Sequence, residues 1–404
     1  MKVEIKKGKA KGFVEAPPSK SMAHRLLICA GLSEGVCTVH GISESEDVLA
    51  TLDCLRAIGA EWSREGDRIT VRGTDMRCAG PADILRCRES GSTLRFFVPI
   101  CLVSGANYVL SGSRSLMARP LGIYKILCDE RGLIFSQDEN SLMVKGPLKA
   151  GSYKLAGNVS SQFISGLLFA LPLLEGDSSI TITPPIESRS YINMTMAALQ
   201  AFGVEASWKD ENTIYIPGGQ RYKASEAYVE GDYSNAAFFE ALNVLGGDVE
   251  IGNLSPDSIQ GDRVYGKMFS QLKEGTPILN VSDCPDLGPV LFAVAAAENG
   301  GVFSGTSRLK IKESDRGAVM AAELRKFGTS VTVYDDEIVI YPAKFGPPKE
   351  PLFGYNDHRI VMAEAVLLTA TGGIIDGAEA VAKSFPEFFD KLKSLGIEVK
   401  RVEN

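Results

Sequence analysis

The chain is expected to be an α/β protein of two lobes built from repeats, and three observations predict it. A polar cluster precedes an apolar stretch at six places: Ser19-Lys20-Ser21, Ser90-Gly91-Ser92, Ser160-Ser161-Gln162, Asp232-Tyr233-Ser234, residues 283–286, and Asn356-Asp357-His358-Arg359. A leucine followed four residues later by glycine closes the apolar stretch at Leu55 and Gly59, Leu199 and Gly203, and Leu324 and Gly328, with variants at Cys128 and Gly132 and at Leu392 and Gly396. Both features recur together at a period of roughly 70 residues, in the range where internal duplication is to be suspected.

The polar clusters are the capping residues that helix starts need, because the first N–H groups of a helix have no intrahelical partner. Glycine after the last turn suits a left-handed C-cap. Each glycine leads into an alternating strand, a polar turn and a second strand, as in Glu61-Trp62-Ser63 followed by Arg68-Ile69-Thr70-Val71. The unit is therefore strand, helix, strand, helix and hairpin, and six copies fill the chain. The fourth copy is short, because the stretch after Leu272 and Gly275 runs straight into the helix start at Asp283. The last copy has one final strand, Ile397-Glu398-Val399-Lys400, and its missing partner is expected at the N-terminus, over residues 1–5. That split gives an N-terminal lobe of residues 18–227 and a discontinuous C-terminal lobe of residues 1–17 and 228–404, with the chain crossing near Pro17-Pro18 and again near residues 226–229.

Composition narrows the function. Of 404 residues, 45% are hydrophobic and 23% charged, which suits a globular protein with a real core. The formal net charge of -7 argues against general nucleic-acid binding, which brings a basic surface. No apolar stretch approaches the length of a membrane span, and the start Met1-Lys2-Val3-Glu4 lacks a signal-peptide pattern, so a cytoplasmic protein without a membrane partner is expected. The 8 cysteines include no C-x-x-C pair and read as buried, reduced thiols; the 3 histidines have no ligand spacing, so neither metal nor cofactor is expected.

The charges gather where the helices begin. Lys20, Ser21 and Arg25 occupy the first turns after Pro17-Pro18, and Arg119-Pro120, Lys312-Glu313-Ser314-Asp315-Arg316, Asp357-His358-Arg359 and Lys383-Ser384-Phe385-Pro386 lie at comparable points of later copies. Cations are disfavoured at the positive end of a helix, so placing them there costs stability. Taken singly, each cluster reads as a solvated cap. Their shared register favours an anion site, since Arg and Lys at helix N-termini suit carboxylates and phosphates. Asp286 and Glu313 within such a cation field are candidate acid–base groups.

These motifs, in this order and over essentially the whole chain, resemble the family of 5-enolpyruvylshikimate-3-phosphate (EPSP) synthases, the 3-phosphoshikimate 1-carboxyvinyltransferases. The resemblance implies a two-domain inside-out α/β barrel, each domain three βαβαββ repeats, closing around a double crossover hinge. It implies a transferase of the shikimate pathway that moves the carboxyvinyl group of phosphoenolpyruvate to the 5-hydroxyl of shikimate 3-phosphate and releases phosphate. It further implies that Lys20, Ser21, Arg25, Ser160, Ser161, Gln162, Ser188, Tyr191, Asp286 and Lys312 bind shikimate 3-phosphate. Lys20, Gly91, Arg119, Gln162, Arg316, His358, Arg359 and Lys383 are the corresponding phosphoenolpyruvate ligands, and Asp286, Glu313 and Lys20 the catalytic groups. Two small-molecule substrates, no cofactor and a monomer are the accompanying expectations.

Two positions depart from the family pattern, Glu89 where many members have Asn and Arg308 where some have Asn. They bear on secondary contacts and on inhibition by glyphosate, which in this family occupies the phosphoenolpyruvate site and which Gly91 would admit sterically. The related UDP-N-acetylglucosamine enolpyruvyl transferases carry a reactive Cys before the Arg-Pro pair. Here the loop reads Ser113-Arg114-Ser115-Leu116-Met117-Ala118, with no cysteine between Cys101 and Cys128. A non-catalytic sensor of phosphorylated metabolites would need the cations but no acid–base pair.

Overall fold

The computed structural model describes residues 1–80 and 82–402. Contacts divide the chain into two compact units, Pro18–Glu230 on one side and Met1–Pro17 with Gly231–Asn404 on the other. Among the described residues, no helix is long and apolar enough to cross a membrane.

The unit Pro18–Glu230 holds sheets of one pattern, a parallel pair followed by an antiparallel hairpin. Strand Ser152–Ala156 pairs parallel with Ser178–Thr183, which pairs antiparallel with Thr213–Ile216, itself paired with Ser207–Trp208. Helices Ser161–Ala170 and Arg189–Ala201 make the connections. The same order recurs over Leu85–Arg86, Asn107–Ser111, Ser141–Lys145 and Ile134–Gln137, with helices Gly91–Cys101 and Gly122–Arg131 between them. In the first copy the opening strand comes from the far end of the unit. Glu226–Tyr228 pairs parallel with Val36–His40, which continues through Arg68–Arg72 to Glu61–Glu65. That strand moves the second crossing. It was expected near residues 226–229, with residue 228 already in the C-terminal lobe. The structure keeps residues 228–230 with Pro18–Glu230, because Tyr228 pairs with His40 and the Val229 N–H donates to the His40 carbonyl at 3.0 Å.

The other unit is assembled in the same way. Ile278–Asn280, Gly301–Ser304, Glu337–Ile340 and Val331–Val333 form one sheet around helices Gly288–Ala297 and Arg316–Lys326. Leu352–Phe353 and Gly373–Asp376 are parallel, and the N-terminal strand Lys2–Ile5 lies antiparallel between Gly373–Asp376 and Val399–Val402. Val3 thus faces both Ile375 and Arg401 in register. The short copy keeps only the parallel pair Lys11–Glu15 and Asp248–Gly252.

The helix ends follow the chemistry of their sequences. Ser19, Ser90 and Ser160 accept from backbone N–H groups two or three residues on, and Asp232 and Asp357 do the same with carboxylates. Gly59, Gly132, Gly203, Gly328 and Gly396 all have positive φ, the conformation that ends a helix without a Cβ clash. Each unit has its own apolar core, one including Leu27, Leu52, Phe97 and Leu168, the other Phe239, Leu291, Phe303 and Val366. The thiols are buried except Cys78, which is exposed, because it sits in the turn closed by the Cys78 N–H on the Asp75 carbonyl.

Candidate active site

In the unit Pro18–Glu230 the candidate residues form two hydrogen-bonded groups. Arg25, only 2% exposed, donates through Nη1 to the Ser21 carbonyl at 2.6 Å, through Nη2 to the Tyr191 carbonyl at 3.0 Å, and through Nε to Thr195 Oγ1 at 2.8 Å. Its guanidinium also lies over the rings of Phe96 and Tyr191. Burial pulls Arg25 down to about 10, with Tyr191 opposing, and at neutral pH the residue stays charged. Ser188, buried, precedes helix Arg189–Ala201 in a left-handed conformation at φ 55°, and its carbonyl accepts the Tyr191 N–H.

The second group centres on a residue that sequence reasoning passed over. Arg95 donates to Gln162 Oε1 at 2.7 Å, and Gln162 Nε2 donates to Ser92 Oγ at 2.8 Å. A Cβ on Gly91 would stand 2.8 Å from Arg119 Nη1 and 3.4 Å from Arg95 Nη1, so only glycine lets the guanidinium groups come this close to the helix start. Pro99 has no N–H to give the Arg95 carbonyl one turn earlier, and the Tyr124 hydroxyl reaches that oxygen at 2.8 Å instead. A side chain at Gly166 would collide with both the Tyr124 hydroxyl and the Arg95 carbonyl. Arg95 could have been noticed as the residue one turn after Gly91, but its partner Gln162 is distant in sequence.

Lys20 opens helix Lys20–Gly31, and its Nζ is 2.8 Å from Asp47 Oδ2, with both side chains largely buried. Asp47 was not singled out from the sequence. Ser160 and Ser161 are buried at the start of helix Ser161–Ala170, where the Ser160 hydroxyl accepts the Gln162 N–H.

The remaining candidates belong to the other unit and converge on carboxylates. Asp286 stands in the short turn Pro285–Leu287 before helix Gly288–Ala297. Its Oδ1 accepts from Lys312 Nζ at 3.1 Å and Arg316 Nη1 at 2.9 Å, and its Oδ2 from Arg359 Nη2 at 3.2 Å. Arg316 is 1% exposed and also donates to Glu313 Oε2 at 2.7 Å and, through Nε, to Asp357 Oδ2 at 2.9 Å. Burial opposes the Arg316 charge, but Asp357, Glu313 and Asp286 outweigh it and raise the residue above its usual range. Lys312 goes the other way: burial lowers it, and Arg316 and Arg308 add to that against the pull of Asp286.

Asp357 also accepts from the Arg359 N–H and the Ser314 hydroxyl, so it caps helix His358–Thr371 while fixing Arg316. His358 is buried in the first turn of that helix. Lys383 Nζ donates to the Asn356 carbonyl at 2.6 Å, beside Asp357 in sequence. Arg308 is buried and donates to the Ser282 carbonyl at 3.4 Å. Chemically, each unit thus presents cations at helix starts, and one holds two acids, Asp286 and Glu313, against a shared guanidinium.

Comparison with known proteins follows the same lines. The family model described as EPSP synthase (3-phosphoshikimate 1-carboxyvinyltransferase) matches residues 5–392. A 3-phosphoshikimate 1-carboxyvinyltransferase of Clostridium acetobutylicum is 40% identical over 416 residues, 96% of each chain. One from Clostridium botulinum is 39% identical over 420 residues, 97% of each. Among solved structures, an EPSP synthase from Acinetobacter baumannii superposes with a TM-score of 0.80 at 25% identity over 100% of both chains. The enolpyruvyl transferase NikO from Streptomyces tendae, at 13% identity and a TM-score of 0.77 over 99% of this chain and 98% of its own, shares the α/β fold.

Proposed function

The chain belongs to the EPSP synthase family and is a 3-phosphoshikimate 1-carboxyvinyltransferase, and we propose which of its side chains perform each part of that transfer. The reaction moves the carboxyvinyl group of phosphoenolpyruvate to the 5-hydroxyl of shikimate 3-phosphate, in the shikimate pathway toward aromatic amino acids. The finer architecture that goes with this reading is the two-domain inside-out α/β barrel with a double crossover. A monomer in the cytoplasm is part of the same proposal.

Shikimate 3-phosphate is held by Ser21, Arg25, Ser160, Ser161, Gln162, Ser188, Tyr191 and Lys312. The buried Arg25, tied to two backbone carbonyls and Thr195, is fixed in direction before any ligand arrives. Phosphoenolpyruvate is held by Gly91, Arg119, Gln162, Arg316, His358, Arg359 and Lys383, with Lys20 touching both substrates. Arg95, through Gln162 and beside Gly91, keeps the phosphoenolpyruvate group of Pro18–Glu230 in place.

The 5-hydroxyl oxygen attacks C2 of phosphoenolpyruvate and loses its proton, while the C3 methylene gains one. The product is a tetrahedral intermediate. Loss of a proton from its methyl group and departure of phosphate from C2 then restore the double bond. Asp286 takes the hydroxyl proton, Glu313 serves the methylene carbon, and Lys20 can assist at either. The observation that supports this most is Asp286 itself, a carboxylate met by Lys312, Arg316 and Arg359. A carboxylate among cations also orients them, but proton transfer beside two polyanions specifically needs such an acid. The test is phosphate release from purified protein mixed with both substrates, with the enolpyruvyl ether identified by mass. Equal release with phosphoenolpyruvate alone would remove the assignment.

A further inference from the structure

His24 has no part in the chemistry above, yet it is 1% exposed and lies one turn after Lys20 on the same helix. Its Nδ1 is 2.7 Å from Thr51 Oγ1. Thr51 Oγ1 is 2.8 Å from Thr93 Oγ1, and the Thr93 hydroxyl donates to Ser90 Oγ at 2.8 Å. Ser90 caps helix Gly91–Cys101 by accepting the Thr93 N–H at 3.3 Å. A buried line of side chains therefore runs from the Lys20 helix, across helix Glu46–Ala57, to the helix start that carries Gly91 and Ser92. The Lys20–Asp47 ion pair is the parallel rung one turn earlier on both helices.

The direction of the line follows from counting hydrogens. A threonine hydroxyl has one proton to give. With the Thr93 proton on Ser90 Oγ, or on the Asp47 carbonyl at 3.5 Å, Thr51 is the donor to Thr93. Thr51 then has none left for the imidazole, so His24 must donate from Nδ1. This leaves Nε2, buried and without a hydrogen-bond partner, as a bare lone pair, which is the less costly of the two unpaired states for a ring nitrogen. Burial, then Lys20 and Arg25, keep the imidazole well below its usual protonation range.

We propose that His24 is a positioning residue: as the Nδ1–H tautomer it donates to Thr51 and locks Lys20 and the Ser90-capped helix start into the arrangement that receives phosphoenolpyruvate. This rests on Lys20 and Gly91 being phosphoenolpyruvate ligands. Lys20 also touches shikimate 3-phosphate, but that substrate has further anchors off the line from His24, chiefly Arg25 held on Thr195 and the Tyr191 carbonyl, so it depends on the line less.

The test combines spectroscopy and kinetics on the full chain. With 3 histidines present, nitrogen-15 labelling and the loss of one signal pair in His24→Asn assign the His24 resonances. The expected spectrum has a protonated Nδ1 and an unprotonated Nε2 at neutral pH. His24→Leu, which removes the donor, should raise KM for phosphoenolpyruvate by about fivefold while KM for shikimate 3-phosphate stays within about twofold. His24→Asn, which can offer an amide N–H in the same place, should recover most of the loss. Thr51→Val should copy His24→Leu and shift the His24 nitrogen signals, which keeps the test available if His24→Leu fails to fold. An Nε2–H tautomer, equal rises in both KM values, an unchanged phosphoenolpyruvate KM in folded His24→Leu or Thr51→Val, or His24→Asn no better than His24→Leu overturns the proposal. The tautomer is read without turnover, and wild-type product formation reports on the enzyme assignment by itself, so the two can fail separately.

Discussion

Asp286 is met by three cationic side chains, and its replacement separates charge from proton transfer. Asp286→Asn keeps a polar group of the same size, so both substrates should still bind, while turnover falls by about 100-fold or more; rapid-quench assays beside equilibrium binding would show it, and near-normal turnover would reject the role. Gly91→Ala puts a methyl group 2.8 Å from Arg119 Nη1. The guanidinium end can swing aside, so we expect a rise of about tenfold in KM for phosphoenolpyruvate with little loss of folding stability, measured by steady-state kinetics and thermal melting. Glu364 is a different kind of site, fully buried with neither carboxylate oxygen hydrogen-bonded. Burial and then Glu323 raise its carboxyl well above the usual range, against the pull of Lys326. The folded chain therefore holds this proton at pH values where the unfolded chain has lost it, so the residue costs stability as pH rises above the ordinary value near 4.5. Glu364→Gln should accordingly be more stable than wild type near pH 8, with the gain shrinking toward pH 5, as read from urea midpoints. Asp286 and Gly91 were singled out from their motifs, but Arg95, Asp47 and Glu364 were not, because their long-range partners are set by packing and leave no local pattern.

Helix starts were the most legible feature, because a cap is a short-range requirement written into adjacent residues. Ser19, Ser90, Ser160, Asp232 and Asp357 all stand where their clusters placed them. The sequence showed Asp357 as a helix cap, but not that the same carboxylate holds Arg316, which comes from the preceding helix. Asp357 is 0% and Arg316 1% exposed, so removing the acid leaves the buried Arg316 Nε–H without its partner while Asp286 and Glu313 still balance the charge. Asp357→Ala, which loses that hydrogen bond and the helix cap, should destabilise the protein by about 2 to 4 kcal/mol. Asp357→Asn, which can still cap, should cost clearly less, and equal losses in denaturant titrations would show that Asp357 acts through its charge on Arg316 and not through the cap.

At the scale of the whole chain, sheet pairing between distant strands is what makes each unit. The unpaired last strand pointed to residues 1–5, and Lys2–Ile5 does lie between Gly373–Asp376 and Val399–Val402. No comparable gap marked Glu226–Tyr228 as the opening strand of the first copy, because three residues carry too little periodicity to announce a partner. Deleting residues 1–5 should strip backbone protection from residues 373–376 and 399–402 in hydrogen exchange while sparing strands 152–156 and 178–183. We propose that Arg25 serves one substrate of the transfer and Arg359 the other. The most direct measurement is product formation from shikimate 3-phosphate and phosphoenolpyruvate by wild type, Arg25→Ala and Arg359→Ala, with both KM values determined. We predict one phosphate released per ether formed, a raised shikimate 3-phosphate KM in Arg25→Ala and a raised phosphoenolpyruvate KM in Arg359→Ala; wild type forming no ether, or both variants leaving both KM values unchanged, would contradict it.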